Sequence, residues 1–172
     1  INKVVDGNFP NHHPDPTVPE NMKQLISCVQ KNNCDVGLAF DGDGDRLGVV
    51  DNIGNIIWAD QYMILLAKEI SSFYNKPKII MDVKCSKTFF EEVKKFNCEP
   101  IMYRTGHSPI KEKMKEINSP LSGEMSGHVC YGDDFYGYDD AMYVGLRLLR
   151  ILANENESLN TLMSVFPKTM AT

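Results

Sequence analysis

The chain has 172 residues, of which 42% are hydrophobic and 24% charged, a composition typical of a globular protein. Its formal net charge of −5 argues against binding to nucleic acid or to an acidic membrane surface. No apolar run approaches the ~20 residues of a membrane helix, and the five cysteines form no C-x-x-C pair, so we expect no membrane partner, reduced thiols and a cytoplasmic location.

The first part of the chain predicts a helix and two strands. Residues 4–9 predict the end of a strand running into a turn, and four prolines between 10 and 19 exclude a helix or a central strand there. Residues 20–32 predict a helix because their apolar side chains recur on one face. Two short apolar runs predict buried strands at 36–40 and 47–50. We therefore expect a small βαβ-like unit that ends near Asp51.

After a turn at 52–55, the pattern alternates between strands and helices. Strands are predicted at 56–58, 78–83, 100–103, 121–124 and 128–131. Helices are predicted at 60–74, 86–96, 108–117, from Asp139 or Asp140 to about 153, and at 158–165. The expected N-caps are Asp60, Ser86 and Ser108, with Pro109 at the first helical position. The helix at 60–74 is expected to bury Met63, Leu66, Ala67 and Ile70. This alternation predicts an α/β fold of mixed β-sheets flanked by helices.

An acidic loop with the sequence DGDGDR, residues 41–46, joins the two strands of the first unit. In an extended loop, alternate residues point to one side, so Asp41, Asp43 and Asp45 can converge. Oxygen ligands suit a hard cation, and Mg²⁺ binds about six oxygens in near-octahedral geometry. Arg46 would place a planar, permanently charged group beside the metal, as phosphate recognition requires.

Two other interpretations of this loop compete with a metal site. An EF-hand needs Gly at the sixth position and Glu at the twelfth, where this chain has Arg46 and Asn52, and its flanks are helices rather than strands. A solvated acidic turn is the other alternative, because Asp and Gly are the commonest turn residues. Three like charges held between two apolar strands favour the metal site.

Two loops that follow predicted strands carry groups suited to an anion. Lys84 comes directly after the strand at 78–83, at the end of a strand where open α/β sheets bind ligands, and the alternative is an ordinary solvated lysine. A helix N-terminus, whose N–H groups favour phosphate, is predicted to include Thr105, Gly106, His107 and Ser108. From the residues alone, His107 either donates a hydrogen bond to a ligand or packs in the turn.

A second loop, at 123–128, contains Glu124, Ser126 and His128 between two glycines. In an extended loop Glu124 and Ser126 face one side, where a carboxylate and a hydroxyl can bind two adjacent sugar hydroxyls. A plain hairpin turn is the alternative, but such a turn needs neither Glu nor His. His128 titrates near neutral pH and is a candidate proton acceptor or donor.

These motifs resemble those of the α-D-phosphohexomutase family. The segment 41–46 is similar to the family's metal-binding loop, and the segment 123–128, with Met125, resembles the sugar-binding loop of the bacterial phosphomannomutase/phosphoglucomutase branch. Two motifs in the family's order, about eighty residues apart, are more specific than either alone. The pair Lys84-Cys85 and the segment 105–108 are also similar to family motifs, which implies contact with substrate or phosphate.

The resemblance implies Mg²⁺-dependent interconversion of hexose 1-phosphate and hexose 6-phosphate, with mannose or glucose as the hexose. The phosphate would move through a phosphoserine enzyme and a bisphosphorylated sugar. The implied metal ligands are Asp41, Asp43 and Asp45. The implied catalytic residues are Arg46, Lys84 and His128. The implied substrate-binding residues are Lys84, Thr105, Gly106, His107, Ser108, Glu124, Ser126 and His128.

The resemblance also implies a domain organisation. Residues 1–53 would end a second domain, 54–160 would form a third, and 161–172 would be a hinge towards a fourth. The family's phosphoserine loop and distal phosphate-binding loop are not found in this sequence, so we expect N- and C-terminal domains as partners and no mutase activity from this chain alone. Two alternatives belong to other classes: a non-catalytic binding module for divalent cations or sugar phosphates, and a structural interaction domain. A phosphoglucosamine mutase is a less favoured sibling, because its sugar loop usually differs at Met125.

Overall fold

The computed structural model describes residues 1–4 and 6–167, which contain seven strands and six helices. The strands are β1 Val36–Phe40, β2 Leu47–Asp51, β3 Ile56–Ile57, β4 Lys78–Asp82, β5 Glu99–Tyr103, β6 Leu121–Gly123 and β7 Val129–Tyr131. The helices are α1 Pro19–Asn32, α2 Ala59–Phe73, α3 Lys87–Lys95, α4 His107–Ile117, α5 Ala141–Asn154 and α6 Leu159–Ser164. The α/β class predicted from the sequence is confirmed.

The first sheet is antiparallel throughout, in the order β1-β2-β3, so the predicted βαβ-like unit is wrong. Phe40 pairs with Leu47, and the loop 41–46 therefore closes a hairpin. A parallel crossover needs a dozen or more residues, which this loop does not have. Strand β2 is buried along its whole length, whereas β1 is only partly buried and exposes 42% of Phe40. Strand β3, predicted to begin the second unit, pairs with β2 in this sheet.

The second sheet is mixed, in the order β5-β4-β6-β7. Strand β4 runs parallel to both β5 and β6, and β7 returns antiparallel to β6. In this register Asp82 lies opposite Tyr103, and Met81 lies opposite Gly123. The loops that follow β4, β5 and β6 therefore leave from the same edge of the sheet, which is where open α/β sheets bind ligands.

Three predicted helix starts differ in detail from the structure. Trp58 occupies the N-cap position of α2, and Asp60 lies inside the first turn, where its carboxylate accepts a hydrogen bond from Ser86 N at 3.3 Å. Gly106, with φ of 131°, precedes α4 and allows the helix to begin one residue before the predicted cap Ser108. Ser86 stands at the N-cap of α3 without a side-chain capping bond.

The caps of the last two helices follow the sequence closely. Asp140, one of the two predicted starts, accepts a hydrogen bond from Tyr143 N at 2.9 Å at the N-terminus of α5. Ser158 accepts one from Thr161 N at 3.2 Å and begins α6. The predicted hinge at 161–172 includes the end of α6, and its residues 168–172 lie outside the described residues.

The N-terminal segment contains the predicted turn but not the predicted strand. Val5 lies outside the described residues, and residues 1–4 and 6–9 form no strand. Phe9 N donates to Asp6 O at 3.1 Å and closes a turn, while Val4 is 79% exposed. No described strand pairs with this segment, so its apolar residues have no sheet to join.

Helix α2 is the centre of a hydrophobic core that includes residues of both sheets. The four side chains predicted to face inward are all buried: Met63, Leu66, Ala67 and Ile70. Tyr62 is also buried, and its hydroxyl donates to Leu47 O at 3.1 Å, directly after the acidic loop. The end of that loop is thus anchored to the shared core.

Among the helices of residues 1–4 and 6–167, none combines the length and the apolar character of a membrane span.

Burial predicts which cysteines of the folded chain react. All five are free thiols, but Cys85, Cys98 and Cys130 are buried whereas Cys28 and Cys34 are partly exposed. Burial raises the pKa of Cys98 to about 11 and that of Cys130 to about 12, which disfavours the reactive thiolate. We expect iodoacetamide at neutral pH to label Cys28 and Cys34 in the native protein and the other three only after denaturation. Peptide mass mapping checks this, and native labelling of Cys85 as fast as Cys28 would contradict it.

Candidate functional site

The acidic loop is curled around Asp41. Oδ1 of Asp41 accepts hydrogen bonds from the backbone N of Gly44, Asp45 and Arg46, at 3.0, 3.0 and 3.1 Å. Its Oδ2 accepts a hydrogen bond from Arg46 Nε at 2.6 Å. The predicted extended conformation is therefore wrong, but the curl brings the carboxylates together. Asp41, Asp43 and Asp45 each offer an oxygen within 4.8 Å of the others.

The electrostatics of this loop suit a cation. Burial alone would raise the pKa of Asp41, but the hydrogen bonds and charge of Arg46 outweigh it and hold the pKa below its ordinary value. Burial raises the pKa of Asp45; the charge of His128 opposes this shift and the charges of Asp41 and Asp43 reinforce it, so the pKa stays above its ordinary value. Like charges are crowded here, and all the donors are oxygens. The donor set fits Mg²⁺, and its role as the metal site stays a prediction.

The side chain of Arg46 contacts two carboxylates. In addition to Asp41, its Nη1 lies 3.3 Å from Oδ1 of Asp15 in the proline-rich loop. A quarter of the Arg46 side chain is exposed. Nothing in the sequence singles out Asp15, because an aspartate among prolines is an ordinary loop residue. The contact keeps the guanidinium next to the carboxylates.

The acidic loop and the loop at 123–128 meet at His128. Its Nε2 lies 3.3 Å from Oδ1 of Asp45, and Leu47 N donates to Gly127 O at 3.1 Å. A side chain on Gly127 would lie 2.8 Å from Leu47 O, and its φ is +97°, so the close approach of the two loops requires glycine. The structure thus brings two predicted site loops into direct contact.

The loop at 123–128 is a tight turn rather than the predicted extended segment. Gly127 N donates to Glu124 O at 3.0 Å. Ser126 Oγ donates to Oε2 of Glu124 at 3.0 Å, and His128 Nδ1 lies 3.0 Å from the same oxygen. Gly106 N donates to the other carboxylate oxygen at 2.6 Å. Glu124 and Ser126 do share one side, as predicted, because both converge on His128.

Glu124 and His128 stabilise each other's charged forms. Burial opposes both charges, yet the hydrogen bonds from His128, Gly106 N and Ser126 lower the pKa of Glu124. The bond to Glu124 and the nearby charges of Asp45 and Asp139 raise the pKa of His128 despite its burial. Each partner therefore favours the charged form of the other.

Asp82 is a site residue that the sequence reasoning missed. It ends β4, is 1% exposed, and accepts hydrogen bonds from Met125 N at 3.1 Å and from Thr105 Oγ1 at 3.0 Å. Burial raises its pKa. An acidic residue at the end of an apolar strand, two positions before Lys84, was the available signal. Asp82 fixes two loops relative to each other, and the hydroxyl of Thr105 is used in that contact.

The other predicted substrate-binding residues lie at the same edge. The ring of His107 is stacked on that of His128, with centroids 5.6 Å apart and an interplanar angle of 21°. Lys84 and Ser108 are exposed. The contacts of residues 1–4 and 6–167 include no ion pair of Lys84 with the acidic loop. Its predicted role therefore stays a prediction.

A second group of possible metal ligands includes Asp45, His128 and Asp139. Oδ1 of Asp139 accepts a hydrogen bond from Lys111 Nζ at 2.8 Å. This neighbouring cation and the imidazole donor make the group less suited to Mg²⁺ than the three loop carboxylates. Asp139 was predicted only as a possible helix start, and Lys111 was not singled out.

Comparison with known proteins identifies the family. Residues 58–169 match the family model described as phosphoglucomutase/phosphomannomutase, alpha/beta/alpha domain III, and residues 1–54 match the corresponding domain II. The chain belongs to the phosphoglucomutase/phosphomannomutase family. The phosphohexomutase resemblance of the motifs is thereby confirmed, whereas our division at 53/54 and the hinge stay predictions.

The chain spans about a third of the length of the relatives that it matches. It is 49% identical over 168 residues to the phosphomannomutase/phosphoglucomutase of Pseudomonas aeruginosa, covering 98% of this chain and 36% of that protein. It is 48% identical over 155 residues to the phosphoglucomutase of Neisseria gonorrhoeae, covering 90% and 34%. A crystal structure of a phosphoglucomutase/phosphomannomutase family protein from Burkholderia thailandensis matches with a TM-score of 0.93 and 46% identity, over 98% of this chain and 36% of that one.

Proposed function

We propose that this chain forms the metal and sugar loops of a cytoplasmic, Mg²⁺-dependent phosphohexomutase. The reaction would interconvert hexose 1-phosphate and hexose 6-phosphate, of mannose or glucose, through a phosphoserine and a bisphosphorylated sugar. The contact between Asp45 and His128, at 3.3 Å, is the observation that carries this proposal. It places a carboxylate loop suited to Mg²⁺ directly beside a loop suited to a sugar. The mutase names of the relatives support the reaction class.

The acidic loop would neutralise charge during phosphoryl transfer. Asp41, Asp43 and Asp45 would hold Mg²⁺, which supplies positive charge to the phosphoryl oxygens when bound. Arg46, held by Asp41 and Asp15, would orient the phosphate with its planar donors. Because Asp41 already accepts four hydrogen bonds, it also maintains the loop in which the other two carboxylates lie.

The second loop would position the sugar and move its proton. Glu124 and Ser126, now hydrogen-bonded to each other, would exchange that contact for adjacent sugar hydroxyls. His128 is held through Nδ1 by Glu124 and Ser126, so Nε2 is the nitrogen that faces the acidic loop. We assign to Nε2 the transfer of a proton to or from the attacking hydroxyl.

The loops after β4 and β5 would bind the phosphate that is not transferred. The segment 105–108 includes the N-terminus of α4, an eleven-residue helix whose first N–H groups favour an anion. Lys84 would add a mobile positive charge at the same edge. His107 would contact the substrate beside His128, on whose ring it is stacked.

A chimera tests the proposal directly. This chain would replace the 168-residue stretch of the Pseudomonas aeruginosa enzyme with which it aligns. We expect Mg²⁺-dependent interconversion of glucose 1-phosphate and mannose 1-phosphate with their 6-phosphates, and the ratio of the two rates would give the sugar preference. The isolated chain, assayed in parallel, is expected to be inactive, because it lacks the family's phosphoserine loop.

Three results would count against this proposal. Robust turnover by the isolated chain would refute the dependence on further domains. A folded chimera that binds Mg²⁺ and glucose 1-phosphate without turnover would favour the non-catalytic binding module. Loss of both binding and turnover in a folded chimera would leave the structural interaction domain.

A further inference from the structure

We propose that Asp139 is a positioning residue for His107, fixing the imidazole that contacts the substrate. The inference rests on the proposed function, because it assigns a reason for the orientation of one of its substrate-binding residues. Asp139 precedes the N-cap of α5 and lies on an element different from that of His107, which begins α4. The contact therefore joins two loops at the edge of the site.

The two oxygens of the Asp139 carboxylate differ in their hydrogen-bond partners. Oδ1 accepts a hydrogen bond from Lys111 Nζ at 2.8 Å. Oδ2 is buried and has no hydrogen-bond partner within residues 1–4 and 6–167. Nδ1 of His107 lies 3.6 Å from Oδ2. The side chain of Asp139 is only 8% exposed, so water does not readily replace a missing partner.

An ion pair with Lys111 alone does not explain this arrangement. Such a pair would satisfy one oxygen and leave the other buried without a donor, which is costly for a carboxylate. The His107 side chain is half exposed and has room to rotate. The 3.6 Å between Nδ1 and Oδ2 is slightly longer than a hydrogen bond, as catalytic hydrogen bonds often are before substrate binds.

The chemical consequence concerns which nitrogen of His107 carries the proton. A carboxylate at Nδ1 favours the Nδ1–H tautomer, just as metal-bound histidines are fixed by a carboxylate on their other nitrogen. Nε2 then remains available to the substrate, as an acceptor when the ring is neutral and as a donor when it is protonated. The stacking on His128 holds the plane of the ring, and of the two ring orientations related by a flip of about 180° around the Cβ–Cγ bond, Asp139 favours the one with Nδ1 towards its carboxylate.

The first test needs no substitution. The ¹⁵N chemical shifts of the imidazole nitrogens, measured in the 172-residue chain at an alkaline pH where the rings are neutral, report the tautomer of each histidine. We expect His107 to be predominantly the Nδ1–H tautomer. A predominance of the Nε2–H tautomer would overturn the proposal, whether or not any chimera turns over substrate.

The second test uses variants. Asp139→Ala is expected to shift His107 towards the Nε2–H tautomer, and Asp139→Asn to shift it less, because an amide oxygen still accepts a hydrogen bond. Asp134→Asn removes one negative charge at an exposed position of the same loop and should leave the spectrum of His107 unchanged. Amide spectra of each variant establish that the fold is retained. An unchanged tautomer in Asp139→Ala would overturn the proposal.

Kinetic measurements on the chimera distinguish a positioning role of Asp139 from a general loss of stability. In the chimera, Asp139→Ala is expected to raise KM for glucose 1-phosphate about three- to tenfold, the effect of one hydrogen bond, with a smaller change in kcat. The same substitution added to His107→Gln should have no further effect on KM. A full additional effect in that background would show that Asp139 does not act through His107. An inactive wild-type chimera would count against the proposed function alone, because the tautomer decides this inference independently.

Discussion

Asp43→Asn is expected to weaken Mg²⁺ binding to this chain by at least about tenfold. Replacing a residue that only hydrogen-bonds to a metal ligand already lowers metal affinity about 10–100-fold, and Asp43 would be a ligand itself. The substitution removes one of the three oxygens that converge in the acidic loop. Asp43 is exposed, and within residues 1–4 and 6–167 its side chain accepts no hydrogen bond, so the loop should keep its shape. Isothermal titration with Mg²⁺ measures the affinity, and the chimera should lose Mg²⁺-dependent turnover in parallel.

The matched control for this experiment is Asp35→Asn. Asp35 is exposed directly before β1, the strand that leads into the acidic loop. Asp35→Asn changes the net charge by the same amount as Asp43→Asn. We expect wild-type affinity from this control. Asp41→Asn should behave differently from both, because Asp41 is the residue on which the loop folds, and the variant would lose stability as well as metal. Equal Mg²⁺ affinity of Asp43→Asn and the native chain would eliminate the acidic loop as the metal site.

The sequence predicted most elements of the fold but not the direction of its strands. Apolar periodicity placed α1 and α2 within one or two residues, because one face of each helix is buried. The apolar runs that predict β1 and β2 do not show which strands pair or in which direction. They therefore predict a βαβ-like unit where the structure has an antiparallel hairpin. The predicted βαβ-like unit fails at its first strand, because residues 4 and 6–9 form no strand to which β1 could run parallel.

The candidate site was predictable in its residue types and not in its contacts. Motif spacing identified the three loop aspartates and the group around His128, which the structure brings to one place. The expected extended backbone was wrong in both loops, because the hydrogen bonds of Asp41 and of Gly127 curl them. Asp82 and Asp139 were missed because their partners are distant in sequence, and only the folded sheet edge brings them together.

Arg147→Met is expected to reduce the free energy of unfolding by about 3–5 kcal/mol, the cost of removing one partner of a buried ion pair. Only 4% of the Arg147 side chain is exposed, and its Nη2 and Nη1 lie 2.8 and 3.0 Å from carboxylate oxygens of Glu69 and Asp133. The guanidinium also lies 4.2 Å from the centre of the Tyr131 ring. Methionine fills much of the space, but it leaves the buried carboxylate of Asp133 without its cation and that of Glu69 with only the exposed Arg150. Urea unfolding followed by circular dichroism measures the change.

Arg150 offers an internal comparison, because it pairs with the same glutamate from an exposed position. Its Nη2 lies 2.8 Å from the other oxygen of Glu69, but 46% of its side chain is exposed. Arg150→Met should therefore cost only about 0–1 kcal/mol. Glu69→Gln combined with Arg147→Met should recover part of the loss, since it removes a largely buried charge whose remaining partner is the exposed Arg150. Equally small losses of unfolding free energy in Arg147→Met and Arg150→Met would contradict this prediction. They would show that the buried ion pair between α2 and α5 contributes little to stability.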